Sequence, residues 1–159
     1  MKEDFEAYIK HTSLIPNHPF LYDYLTVRES IDLVADIAER ADIKENAMNL
    51  MKNLELERYE AELVKNLSLG TKQKVSFITS VMNEPKLVLI DEPFVNFDKH
   101  SLSVILAFIR DYINDTKATV IFSTHLQYNQ IKELVSHNIH IIGSKQIESV
   151  EAVKANDYL

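Results

Sequence analysis

A four-residue apolar run, Leu87-Val88-Leu89-Ile90, stops abruptly at two adjacent carboxylates, Asp91 and Glu92, with Pro93 next. An apolar stretch this short, bounded by a turn signal, reads as a buried strand. Continuous apolarity, with no polar alternation, is what a strand covered on both faces of a parallel sheet requires. In an open parallel sheet the ligand crevice lies at the carboxyl ends of the strands, so acids just past the last apolar position stand on its rim. The same triplet would also serve simply to end a core strand, and the flanking residues bear on which reading holds.

Upstream, Leu67-Ser68-Leu69-Gly70-Thr71-Lys72-Gln73-Lys74 opens a helix with a small-residue turn. Ser68 is a natural N-cap, and a helix start beside a glycine favours an anion because its free N–H groups and dipole point outward. Downstream, Asp98 caps another helix, and the apolar run Ala118 to Phe122 delivers Ser123-Thr124-His125 to the same rim as Asp91 and Glu92. In this order and spacing the segments resemble the ATP-binding-cassette (ABC) ATPases. The signature motif corresponds to Ser68 to Lys74, the Walker B strand to Leu87 to Glu92, the D-loop to the turn ending at Asp98, and the switch histidine to His125.

The resemblance runs from about His11 to about Glu151. It implies an α/β fold, an incomplete P-loop NTPase with a parallel sheet flanked by helices and an inserted helical subdomain. Residues 1–25 correspond to the end of a core strand and the Q-loop region, 26–66 to the helical subdomain, 67–151 to the remaining ATPase core, and 152–159 to a tail. The implied chemistry is ATP hydrolysis coupled to membrane transport, with ATP and magnesium as cofactors. Glu92 is expected as general base, Asp91 as a magnesium ligand through water, and His125 as the γ-phosphate partner. Ser68, Gly70, Gln73, Asn17 and Asp98 are expected at the nucleotide, Ser68 and Gly70 clamping one held by an opposite subunit. A structural histidine would also fit His125. Asn17 stands where the family usually has Gln, and a turn Asn between Pro16 and Pro19 explains it equally. Two further departures are Leu69 in place of the commoner first glycine and Phe94 where a small hydroxyl residue is usual. The segment from Pro16 to Thr26 looks most like exporter-type cassettes.

Composition narrows the alternatives. A hydrophobic share of 46% over 159 residues can bury the core of one modest domain. With no cysteine, disulfides and thiolate metal sites are excluded, and a cytoplasmic location is the default. A formal charge of −7 argues against a nucleic-acid surface, which needs a basic patch. The first residues lack the apolar centre and cleavage site of a secretory signal, and the apolar runs are far below the ~20 residues of a membrane helix.

Along the chain, His11 to Ile15 reads as a short strand ahead of Pro16. Thr26-Val27-Arg28-Glu29 is a capping box, followed by a helix with Val27, Ile31, Val34, Ile37, Ala38 and Ala41 inward. A second helix is expected from about Lys44 to Leu54 with Ala47, Leu50, Met51 and Leu54 inward. The signature helix would run from Leu69 to Met82 with Val75, Ile78, Val81 and Met82 inward. The helix from Asp98 would bury Leu102, Ile105, Leu106, Ile109 and Ile113. A further helix is expected from Gln127 to Val135, and Ile139 to Ile142 pairs with Ile147 to Glu151 through a turn at Gly143.

A phosphate-binding loop of the form G-x-x-x-x-G-K-[ST] needs glycines so that backbone amides can wrap the phosphates. The chain has two glycines, Gly70 and Gly143, and neither fits. In related folds the Walker A strand lies beside the strand placed here at Ala118 to Phe122, so its absence is expected to unpair backbone and expose apolar faces. The expected partners are therefore a missing N-terminal segment or a second ABC ATPase subunit, together with a transmembrane transporter subunit. When assembled, the chain is expected at the inner face of the cell membrane. A non-catalytic accessory module completing a partner's site, or an inert truncated product, is the alternative.

Overall fold

In the computed structural model, the structure describes residue 5 and residues 8–92, 96–123, 131, 134–142 and 146–152. The chain forms two compact units, residues 1–125 and 126–159. The first holds a three-stranded sheet in the order β1 (Thr12–Ile15), β2 (Leu87–Asp91), β3 (Thr119–Ser123), all parallel. Its helices are α1 (Val27–Ile37), α2 (Ile43–Asn53), α3 (Leu69–Val81) and α4 (Lys99–Thr116). In the second unit β4 (His137–Ile142) pairs antiparallel with β5 (Gln146–Ala152), as the sequence suggested. The helix expected at Gln127 to Val135 falls mostly outside the described residues.

Local chemistry starts each helix. Thr26 and Glu29 close a reciprocal box: the Glu29 carboxylate accepts from Thr26 N–H at 2.8 Å, and Thr26 Oγ1 accepts from Glu29 N–H at 3.1 Å. Ser68 and Asp98 cap α3 and α4 by accepting from the backbone N–H of Thr71 and Ser101. Residues 26–66 close on themselves, because Val27 N–H donates to Glu62 O and Val64 N–H to Leu25 O, pinning the start of α1 to the chain that leaves the helical segment. Within it lie α1, α2 and two 3-10 turns, Glu57–Tyr59 and Val64–Asn66.

The core sits between the helices and one face of the sheet. Ile15, Val88 and Ile90 point into it, together with Phe77 and Ile78 of α3, Ile105 and Ile109 of α4, and Ala47, Leu50 and Met51 of α2, all buried. Each fully buried side chain of this size contributes roughly 1.5–3 kcal/mol by leaving water. Helix α4 locks onto α3 through the edge-on contact of Phe108 with Phe77, and Tyr112 donates to Pro85 O at 2.6 Å.

Several expected faces differ. In α1 the buried stripe is Val27, Ser30, Ile31 and Ala35, and Ile37 is 75% exposed. The helix ends at Ile37, where Glu39 turns left-handed at φ 54° and Arg40 N–H returns to Ala35 O, so the period does not carry on through Ala38 and Ala41. In α4 the buried positions are Ser101, Ile105, Ile109 and Tyr112, whereas Leu102, Leu106 and Ile113 are half-buried. The strand expected to be buried at Ala118 to Phe122 lies at the sheet edge, and Ile121 is 42% exposed. Parallel register aligns Leu14, Leu89 and Ile121 in one row across the sheet face opposite the helices. Leu14 in that row is 61% exposed.

Candidate functional site

Because β1, β2 and β3 run parallel, their carboxyl ends share one edge. Asp91 is paired in register with Ser123, and Ile15, immediately before Pro16 and Asn17, is paired with Ile90. The edge therefore collects Asn17, Asp91, Glu92 and Ser123 from three separate stretches of sequence. His125, two residues past Ser123, lies outside the described residues, as do Pro93, Phe94 and Val95.

Ser123 joins the two acids. Its hydroxyl donates to Asp91 Oδ1 at 2.9 Å and accepts from the Glu92 N–H at 3.0 Å. Glu92 itself has φ 45°, a left-handed backbone that costs an L-residue about 1–2 kcal/mol. The bond from its N–H to Ser123 helps hold that conformation and turns Glu92 away from the line of the strand. Asp91 is exposed and Glu92 half-buried. Sequence reading brought Ser123 to this rim but gave it no role. The signal was present, since two parallel strands ending together place the hydroxyl of one beside the carboxylate of the other.

A second group forms around the opening of α3. Ser68 and Leu69 are exposed there, and the Ser68 hydroxyl lies 2.8 Å from Thr71 Oγ1. A Cβ at Gly70 would stand 2.9 Å from the Asn96 carbonyl oxygen, so the glycine permits the backbone just before α4 to pack against the start of α3. Asp98 reaches the same helix through Lys74, at 3.1 Å. Its carboxylate is held well below the usual carboxylate range, first by the Ser101 N–H, then by the Ser101 hydroxyl, with partial burial opposing and Lys74 adding to the effect. The Asp98 side chain is thus occupied with capping and pairing.

Gln73 connects the two groups. It is buried, and its Nε2 donates to Asn17 O at 3.0 Å, tying the loop after β1 to α3. Its Oε1 is buried without a partner among the described residues. Gln73 is therefore placed between the loop and the helix rather than on an open surface, and what it fixes is the position of Asn17.

The donor set suits a magnesium ion. One carboxylate, Asp91, beside a hydroxyl, Ser123, matches an ion that keeps several waters and takes its other ligands from phosphates. Among the described residues no group of three or more metal-binding side chains occurs. For the phosphates themselves the chain offers the exposed N-terminus of α3 and no glycine-rich loop.

Comparison with known proteins gives the family. The ABC transporter family profile matches residues 2–95, more than half of the chain. The uncharacterized ABC transporter ATP-binding protein YthP of Bacillus subtilis is 31% identical over 104 residues, covering 62% of this chain and 44% of YthP. The probable sulfate/thiosulfate import ATP-binding protein CysA of Chlorella vulgaris is 26% identical over 140 residues, covering 87% of this chain and 59% of CysA. The chain thus spans about half the length of these relatives. A solved ATP-binding subunit of an ABC transporter superposes with a TM-score of 0.82 at 25% identity, over 96% of this chain and 63% of that one. With a parallel sheet flanked by helices, acids at the end of its central strand and a capped helix at Ser68, the chain belongs to the ABC transporter family, in its ATP-binding part.

Proposed function

We propose that the chain supplies the Walker B, signature and D-loop portion of an ABC ATPase and acts in magnesium-dependent ATP hydrolysis that drives membrane transport. The observation that carries this reading is the Asp91–Ser123–Glu92 knot at the carboxyl edge of the sheet. A carboxylate anchored by a hydroxyl can hold a hydrated magnesium, and a second carboxylate one residue on can accept a proton from water. In this reading Asp91 is the water-mediated metal ligand, Glu92 the general base and His125 the γ-phosphate partner. Asn17 contributes the Q-loop contact, held by Gln73, while Ser68 and Gly70 present the α3 N-terminus to a nucleotide on the opposite subunit. Magnesium supplies charge neutralisation on the phosphates when bound.

The phosphate cradle comes from elsewhere, either from further sequence or from a second ABC ATPase subunit. Two facts support this: the two glycines fit no P-loop, and the Leu14–Leu89–Ile121 row leaves apolar surface on the sheet face opposite the helices. The assembly would include a transmembrane transporter subunit and lie at the cytoplasmic face of the membrane, without nucleic acid. Among the described residues no helix is long and apolar enough to cross a membrane. An export direction rests on the exporter-like segment from Pro16 to Thr26 alone, since an import protein is among the relatives. The exposed start of α3 also favours a second reading, a non-catalytic module that completes a partner's composite site.

Nucleotide binding separates these possibilities. The purified chain is expected to show no micromolar magnesium-dependent affinity for ATP, while an assembly containing a P-loop hydrolyses it. Tight ATP binding by the chain alone would overturn the need for an external cradle. Undiminished turnover after Glu92→Gln in the assembly would reject Glu92 as the general base.

A further inference from the structure

Gln73 stands where three segments of the chain meet. On one side is the loop after β1, whose Asn17 O accepts from Gln73 Nε2 at 3.0 Å. On the other is the approach to α4, where a Cβ at Gly70 would meet the Asn96 carbonyl and Lys74 pairs with Asp98. Between them lies a void of about 10 Å³ lined by Ile15, Pro16, Gln73, Phe77 and Phe97. Gln73 is only 5% exposed, and its Oε1 has no hydrogen-bond partner among the described residues. Turning the amide over does not cure this, because the Asn17 carbonyl only accepts and must face the amide nitrogen. The Phe97 N–H also makes no hydrogen bond among the described residues.

A buried carbonyl without a donor has given up its hydration for nothing, and such groups are rare in folded interiors. The void beside this one has room for a single water and for no larger ligand. We propose that one buried water occupies it, accepting from the Phe97 N–H and donating to Gln73 Oε1, while Gln73 Nε2 holds Asn17. Gln73 and its water then form a positioning unit that keeps the loop after β1 and the approach to α4 in register across the start of α3. Being buried, Gln73 influences a bound nucleotide only through these two segments. That last consequence rests on the ATPase reading; the water site and the register do not.

The test uses the free chain labelled with nitrogen-15. In the wild type the Gln73 side-chain amide and the Phe97 N–H are expected to show cross-relaxation to water of the sign that marks a long-lived bound molecule. Gln73→Met has a similar size and no polar atoms. It should abolish the water signal at Phe97 and shift the amides of Asn17, His18, Asn96 and Phe97. Its urea midpoint should stay close to wild type, because the orphaned carbonyl goes together with the bond to Asn17. Gln73→Glu separates position from packing: ionised, its carboxyl has no proton for Asn17 O, and protonated, its O–H can donate there. The Asn17 and His18 amides should therefore be displaced above neutrality and return toward their wild-type positions as the pH falls, burial favouring the protonated form. A wild-type titration removes the contribution of His18 itself, and the neighbouring pairs, Lys72 with Asp23 and Lys74 with Asp98, are common to both proteins. In an assembly that hydrolyses ATP, Gln73→Met should lower kcat about tenfold at unchanged KM. The proposal is overturned if Phe97 shows no bound-water signal in the wild type, if Gln73→Met leaves either segment's amides in place or leaves kcat unchanged, or if protonation of Gln73→Glu restores nothing. An assembly with no wild-type turnover overturns the ATPase reading instead, and the measurements on the free chain still decide this one.

Discussion

The Ser123 hydroxyl donates to Asp91 Oδ1 at 2.9 Å, and through this bond the edge strand orients the carboxylate at the end of the central one. Ser123→Ala removes that support and also releases the Glu92 N–H. Groups that orient a metal ligand typically matter by 10–100-fold. In an assembly that hydrolyses ATP, the variant should lose about tenfold in rate and need more magnesium for half-maximal activity. A magnesium titration of turnover checks both effects, and an unchanged midpoint would separate Ser123 from the metal.

Glu92→Gln keeps the side chain's size and removes its basicity. Hydrolysis by the assembly should fall by about 10²–10⁴-fold while ATP binding is retained. Single-turnover kinetics beside equilibrium binding distinguish this from a general loss of fold.

Asp98 should make stability sensitive to acid. Its folded pKa is depressed, so its contribution is complete above the unfolded value near ~4 and is lost as pH falls below that. Asp98→Ala should cost about 1 kcal/mol at pH 7 through the lost cap. The Lys74 pair adds little, because the Asp98 side chain is 60% exposed. Urea titrations of both proteins should converge as the pH is lowered from 7 toward 3; a gap that stays constant would show that the carboxylate is not the source.

Gly70→Ala would bring a Cβ to 2.9 Å from the Asn96 carbonyl oxygen, a backbone atom that can move only with the chain leading into α4. The expected penalty is about 1–3 kcal/mol, with amide shifts concentrated at Asn96 to Ser101. Wild-type stability together with unshifted amides there would mean that the close approach is absent in solution.

Glu39 ends α1 at φ 54°, a position that most often belongs to glycine. Glu39→Gly removes the left-handed penalty at an exposed site and should stabilise the chain by about 0.5–1 kcal/mol, partly offset by backbone entropy. A rise in the urea midpoint at unchanged slope is the expected reading.

What the sequence by itself determined is what acts over a few residues or repeats with a helical period. The Thr26–Glu29 box, the caps at Ser68 and Asp98, the α2 face of Ala47, Leu50, Met51 and Leu54, and the strand ending in Asp91 and Glu92 were all legible, because each depends on neighbours three or four positions away. The end of α1 was not legible, since Glu39 carries no glycine signal, and so Ile37 was assigned to the core although it is exposed. Tertiary structure alone decided the rest. The register between β2 and β3, separated by α4, set the Ser123 hydroxyl 2.9 Å from Asp91 Oδ1, where sequence had put both only on one rim, and lined up Leu14 with Ile121 on an open face. Packing of α3 against β1 buried Gln73 and set it against Asn17. These pairings join residues 32 to 75 positions apart in the chain, from Asp91 and Ser123 to Leu14 and Leu89. Their geometry follows from how the sheet and helices assemble, which no local pattern encodes.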